Sequence, residues 1–225
     1  MGSYRITTGK GKGLIQMSLI TKDMTVLFQG DSITDCGRER DDIKSLGFGY
    51  AHLVASRLLV KKPGFNLKFI NKGISGNRVR DLEARWNEDC IDLKPDLVSI
   101  LIGINDVWRR YDHNDATTTQ EFEETYGRIL LRIKKELGVP VVILEPFVLP
   151  VQPRQVDWRE DLDPKIQAVR RLAREFAAAY VPLDGIFAAA TVQQDPAFWA
   201  YDGVHPSLAG HDLIADAWLK AVGEL

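Results

Sequence analysis

The chain has 225 residues, 45% of them hydrophobic, enough for one sizeable core in a single α/β domain. With 29 Lys and Arg against 31 Asp and Glu, the formal net charge is -2, so no global electrostatic case exists for nucleic acid or an anionic membrane. The longest apolar stretches fall far short of a bilayer span, and the two cysteines, Cys36 and Cys90, are too few for a disulfide scaffold and fit no metal motif.

Residues 1–16 are rich in Gly, Lys and Thr and lack the apolar run of a secretory signal. Residues 1–20 read as an N-terminal leader, in part a cloning remnant, with Met17 as a native start and the domain spanning 21–225. Met24–Gln29 reads as the first strand and runs straight into Gly30-Asp31-Ser32. Tyr50–Leu59 has apolar residues at helical spacing and stops near Pro63 and Gly64. Leu67–Ile70 is a short second strand, and Arg78–Asp89 a helix. Leu97–Ile102, after Pro95, is a third strand whose unbroken apolar run fits burial on both faces. Phe122–Leu137 is a long helix closed by Gly138, and Val139–Leu144 the fourth strand. Pro164 opens a helix running to Ala179, Ala179–Leu183 is the fifth strand, and Ser207 caps the last helix.

This alternation predicts a three-layer α/β/α sandwich with a five-stranded parallel sheet. Ligands in open α/β sheets bind at the carboxyl ends of strands. Ser32 follows the first strand, Gly73–Asn77 the second and Asn105 the third. Asp202 and His205 sit apart, on a loop before the final helix.

A serine is a poor nucleophile at neutral pH without an adjacent base. Gly30 lets the backbone turn sharply before Ser32, and Asp31 braces that turn by side-chain to backbone hydrogen bonds. His205 is the candidate base. Asp202, three residues earlier, is the group that orients its imidazole and stabilises the imidazolium; the plain alternative is that the pair only caps the last helix. Acyl transfer also needs donors for a negative oxygen, and the Ser32 N–H, the Gly76 N–H and the Asn105 side-chain amide are candidates. Taken singly, Gly76 is an ordinary helix-entry turn and Asn105 an ordinary turn residue. All four segments in order point to ester hydrolysis. Of the other histidines, His52 lies on a helix, His113 in an acidic loop and His211 within the last helix, so none clusters for a metal. Cys36 is read as a reduced thiol, since Ser32 already fills the nucleophile's place.

Candidate substrate contacts are Asp31 beside the serine, Trp108 after the Asn105 turn, and Trp199 and Tyr201 before Asp202. Flat aromatic faces suit a sugar ring, although packing accounts equally well for Trp199. Trp86 reads as core, and Trp158 as a lid or interface residue in a polar loop. Arg78, Arg109 and Arg110 read equally as ion-pair partners and ligand contacts.

Gly30-Asp31-Ser32, Gly76, Gly103-x-Asn105-Asp106 and Asp202-x-x-His205 together resemble the four blocks of the SGNH (GDSL-like) hydrolase superfamily, across residues 30 to 205. The resemblance implies a flavodoxin-like sandwich. It makes Ser32 the nucleophile, Asp202 and His205 the rest of a triad, and Ser32, Gly76 and Asn105 an oxyanion hole. The longer runs Gly30 to Arg38, Asn71 to Asn77 and Gly103 to Arg109 look like the acetylxylan-esterase branch of bacterial carbohydrate esterases. That likeness implies a cytoplasmic enzyme that removes acetyl groups from xylo-oligosaccharides. Its partner is a small acylated sugar, with no nucleic acid and no membrane. An acyl-serine route requires no metal or organic cofactor. The segment Pro146–Pro153 and the loop tryptophans suit a homo-oligomer. Two rival readings are a lysophospholipase or thioesterase on the same scaffold and a catalytically silent sugar-binding module, although no catalytic landmark is missing. No long apolar lid helix is read, which favours short acyl groups. A flavin-binding protein, with the same sheet order, is a weaker rival, since the loop after the first strand lacks the hydroxyl-rich phosphate cradle such a site needs.

Overall fold

Five short apolar runs pair into one parallel sheet, β1 (Thr25–Gly30), β2 (Lys68–Asn71), β3 (Leu97–Leu101), β4 (Val141–Leu144) and β5 (Ala179–Val181). Their spatial order is β2-β1-β3-β4-β5, the flavodoxin-like arrangement, in a computed structural model that describes residues 18–225. The readings made for residues 1–17, Met17 included, lie outside the described residues. Nine helices are assigned among the described residues: α1 (Ser32–Asp35), α2 (Tyr50–Lys61), α3 (Val79–Ala84), α4 (Ile104–Asp112), α5 (Thr119–Arg132), α6 (Arg159–Phe176), α7 (Leu183–Thr191), α8 (Pro196–Trp199) and α9 (Leu208–Ala221). None is long and apolar enough to cross a membrane.

Successive side chains of a strand point to opposite faces, and here each face finds its own core. Val26, Phe28, Leu97, Leu101, Val142 and Leu144 pack under α2 and α9. Leu27, Val98, Ile100, Val141 and Ile143 pack under α3, α5 and the middle of α6. Trp218 of α9 is fully buried, and its indole N–H donates to Ser99 Oγ of β3 at 2.9 Å, so the largest side chain on that face carries no unpaired polar group.

The register decides where the site sits. Gly30 pairs with Leu101, so β1 and β3 leave the sheet at the same level. The segment after β2 runs on beside β1, with Lys72 N donating to Phe28 O at 2.8 Å and Ile74 N to Gly30 O at 3.1 Å. Three loops therefore open side by side at the point where the strand order reverses, the usual ligand crevice of this topology.

Several elements depart from the sequence expectations. Residues 18–20, read as leader, belong to the packed structure: Leu19 N donates to Val222 O at 3.0 Å, Ser18 Oγ donates to Glu224, and Ile20 lies in the core. The helix expected over Arg78–Asp89 ends as α3 at Ala84 and resumes as a π turn over Asn87–Ile91. A second π turn, Ile133–Leu137, finishes the long helix before Gly138. Helix α6 begins at Arg159, with Pro164 inside it rather than at its start. Asn105, expected on a turn, is the second residue of α4, whose charged residues outnumber its buried apolar ones, Ile104 and Val107. Helices α7 and α8 were not anticipated.

Ile129 of α5 is fully buried in the second core, far along the chain from every candidate site residue. Ile129→Ala is expected to lower the unfolding free energy by about 2–5 kcal/mol in urea titration.

Candidate active site

Gly30 closes β1 where there is no room for a side chain. A Cβ there would lie 2.4 Å from the Leu101 carbonyl oxygen and 2.3 Å from Thr34 Oγ1. The next residue, Asp31, caps α1: its Oδ1 accepts from Ile33 N at 3.0 Å. Ser32 is then the first residue of α1, half-buried, with its Oγ 2.9 Å from Nε2 of His205.

His205 reaches the serine from a loop that folds on itself before α9. Tyr201 N donates to His205 O at 3.1 Å, and Ser207 N to Trp199 O at 2.9 Å. Asp202 holds the loop from inside, its Oδ1 accepting from Val204 N at 2.9 Å and from His205 N at 2.8 Å. Its Oδ2 lies 2.7 Å from His205 Nδ1. Burial opposes ionisation of Asp202, but the His205 and Val204 amides and the imidazole outweigh it and hold the carboxyl below its usual range. An ionised carboxylate only accepts, so Nδ1 carries the proton and Nε2 presents its lone pair to the Ser32 hydroxyl. The expected Ser32, His205 and Asp202 are thus brought into one hydrogen-bonded line.

The three candidate donors are stitched together as well. Gly76 has φ +84, a left-handed conformation that favours glycine, and a Cβ there would meet nothing within 4 Å. Asn105, 3% exposed, donates through Nδ2 to Asn77 O at 3.1 Å, which leaves its second amide hydrogen available. Among the described residues, the Ser32 and Gly76 backbone amides have no hydrogen-bond acceptor in the protein. Asp106 takes the Val79 amide at 3.1 Å and so fixes α4 against the start of α3.

Several side chains that hold this frame were not singled out in the sequence. Asn71 donates to Thr34 O at 2.6 Å and Leu46 O at 2.9 Å, and accepts from Gly73 N at 2.9 Å. Asp35 accepts from Ser75 N at 3.0 Å. Polar residues beside a motif were the available signal, but their long-range partners lie 25 to 40 positions away.

Two expected substrate contacts, Asp31 and Trp199, and the lid or interface reading of Trp158 need correction. Asp31 is fully buried, so it cannot touch a substrate; its role is to cap α1. Trp199 gives its indole N–H to Ala190 O of α7 at 3.1 Å and packs edge-on against Phe198, which accounts for it as packing. Trp158, read as a lid or interface residue, is 6% exposed and underlies Trp108, with ring centroids 5.4 Å apart. Trp108 itself is half-buried, 5.9 Å from the His205 ring, and Tyr201 is 67% exposed. Arg78, Arg109 and Arg110 form ion pairs with Asp115, Asp112 and Glu160.

Cys36 is no rival nucleophile. His211 Nδ1 accepts from Tyr50 N at 3.2 Å, so its Nε2 carries the proton and faces Cys36 Sγ at 3.3 Å as a donor, not a base. Burial pushes the Cys36 thiol up and pulls His211 down to about 4. Among the described residues no group of three or more His, Cys, Asp or Glu is placed to hold a metal ion.

Burial also raises Asp31 to about 7, against the Ile33 amide and the nearby His205. A carboxyl with a raised folded pKa contributes stability below its unfolded value of 3.8 and loses it as the pH climbs toward 7. Asp31→Asn removes that dependence. From pH 5 to pH 8 its unfolding free energy relative to the parent is expected to improve by about 1–3 kcal/mol. An unchanged difference in urea titrations at the two pH values would contradict the raised pKa.

The model of the GDSL-like lipase/acylhydrolase family matches residues 28–213. The acetylxylan esterase of Geobacillus stearothermophilus is 40% identical over 206 residues, covering 88% of this chain and 93% of that protein. Its solved structure superimposes with a TM-score of 0.85 at 39% identity, covering 91% of this chain and 96% of that one. The structure of a putative GDSL-like lipase from Parabacteroides merdae gives a TM-score of 0.87 at 37% identity, covering 94% and 99% of the two chains. With a family match over this span and a relative this similar along nearly its whole length, the chain belongs to the GDSL-like lipase/acylhydrolase family and is a carboxylic ester hydrolase.

Proposed function

We propose that this esterase removes acetyl groups from acetylated xylo-oligosaccharides through an acyl-serine intermediate. The observation that carries the reading is the line Ser32 Oγ to His205 Nε2 at 2.9 Å and His205 Nδ1 to Asp202 Oδ2 at 2.7 Å, beside unoccupied amide donors. Similarity supports the substrate: a related solved structure is described as an acetyl-xylooligosaccharide esterase. Three others are catalytic mutants of the Geobacillus acetylxylan esterase, at a serine, an aspartate and a histidine, the last two three residues apart as Asp202 and His205 are.

In this mechanism Nε2 of His205 takes the hydroxyl proton as Ser32 Oγ attacks the acetyl carbonyl. Asp202 stabilises the imidazolium. The negative oxygen of the tetrahedral intermediate is held by the Ser32 and Gly76 amides and by Asn105 Nδ2. Collapse expels the sugar hydroxyl, which leaves with the proton from His205. A water, deprotonated by the same nitrogen, then attacks the acyl-serine and releases acetate. Trp108, beside His205, offers an apolar ring face to the departing sugar, and Tyr201 stands at the rim.

Ser32→Ala is expected to lower acetate release from acetylated xylo-oligosaccharides by about 10⁴-fold or more. Comparison of acetyl, butyryl and octanoyl esters is expected to rank acetyl first; an octanoyl preference would overturn the deacetylase reading. Trp108→Ala is expected to raise KM for the sugar ester about 3- to 10-fold and to leave KM for a small aryl acetate nearly unchanged.

A further inference from the structure

Arg85 sits where the expected helix breaks between α3 and the π turn. Its side chain is 14% exposed, and burial pulls its pKa down against the nearby Asp89 carboxylate. Burying a guanidinium is costly, and one ion pair would suffice to offset the charge. Arg85 does more. Its Nη1 donates to Asp89 Oδ2 at 2.8 Å, its Nε to Asn77 Oδ1 at 2.8 Å, and its Nη2 lies 3.4 Å from the Gly30 carbonyl oxygen.

Two of these contacts, to Gly30 and Asn77, fall on segments that carry the donors of the site. Gly30 is two residues before Ser32, and Asn77 directly follows Gly76. Asn77 also passes its carbonyl to Asn105 Nδ2 at 3.1 Å. Asp89 is itself anchored: Lys72 Nζ lies 2.9 Å from its Oδ1, and Gln29 Nε2 of β1 donates to its backbone oxygen at 2.6 Å. Asp89 lies one helical turn past Arg85, its N donating to Arg85 O at 3.0 Å, which puts the two side chains on one face at the entry to the π turn.

We propose that Arg85, aimed by Asp89, is a positioning residue that sets the spacing between the Ser32 turn and the Gly76–Asn77 turn, and so the geometry of the oxyanion donors. This rests on the ester-hydrolysis mechanism above. Donors aimed at a transient oxyanion act only when already in place, so a small displacement lowers turnover more than substrate binding. A planar fork can hold three partners in one plane; a lysine ammonium cannot.

The test uses para-nitrophenyl acetate with the parent, Arg85→Lys, Arg85→Ala and Ile129→Ala, at a temperature where each is folded. Arg85→Lys is expected to lose about 10- to 100-fold in kcat, with KM within about threefold. Arg85→Ala should lose at least as much and recover severalfold on addition of free guanidinium. Ile129→Ala, destabilised in the second core, should keep the parent kcat. Arg85→Lys with kcat within twofold of the parent overturns the proposal. So does a loss that Ile129→Ala matches, or one confined to KM. A parent without hydrolysis of the ester would instead defeat the mechanism on which the proposal stands.

Discussion

The bond between Asp202 and His205 is the interaction on which the rest depends. It fixes which ring nitrogen carries the proton, and therefore whether the opposite nitrogen can face a hydroxyl as an acceptor. Asp202 divides its two oxygens between two tasks: Oδ1 takes the backbone amides of Val204 and His205, and Oδ2 takes the imidazole. The same carboxylate thus shapes the loop and sets the tautomer. Loop shape and proton placement cannot come apart, because one charge stabilises both.

The opposite wall is held by many polar contacts rather than by hydrophobic packing. Along residues 71–77 nearly every position is tied down from outside the segment: Asn71 to Thr34 of α1 and to Leu46, Lys72 to Asp89, Gly73 O to the Arg38 guanidinium, Ile74 to Gly30 and Ser75 to Asp35. Gly76 is the exception, with open space where its side chain would be. A segment pinned on both sides of one free amide is stiff where stiffness aims a donor and empty where a substrate must enter. Electrostatic preorganisation has this form in many hydrolases: fixed dipoles cost no reorganisation when charge develops.

Fixing the site has an energetic cost, visible in its carboxyls. Asp31 and Asp106 are both buried and both raised to about 7, chiefly by loss of solvent. Each caps or clamps a backbone amide next to a catalytic segment, Ile33 in one case and Val79 in the other. Buried acids are poor choices for stability alone, and Asp31 Oδ2 has no hydrogen-bond partner among the described residues. Their positions, one residue from Ser32 and from Asn105, indicate that local geometry outweighs that cost.

The sequence by itself determined the class of sheet, the order of the four motif segments and the residue types that acyl transfer needs. Apolar runs of strand length alternating with helical periodicity are local properties, and a Gly-Asp-Ser turn after one such run is read directly. The tertiary structure alone decided which of the polar residues near the motifs face a substrate. Asp31 and Trp199 sit beside the right segments in sequence, yet one is buried as a cap and the other gives its indole to α7. Arg85, eight residues past Asn77 in the chain, turns out to touch it. Position along a chain says little about side-chain direction where a helix stops and a π turn begins. Those breaks are set by distant partners such as Gln29 and Lys72, whose contacts exist only once the sheet has formed.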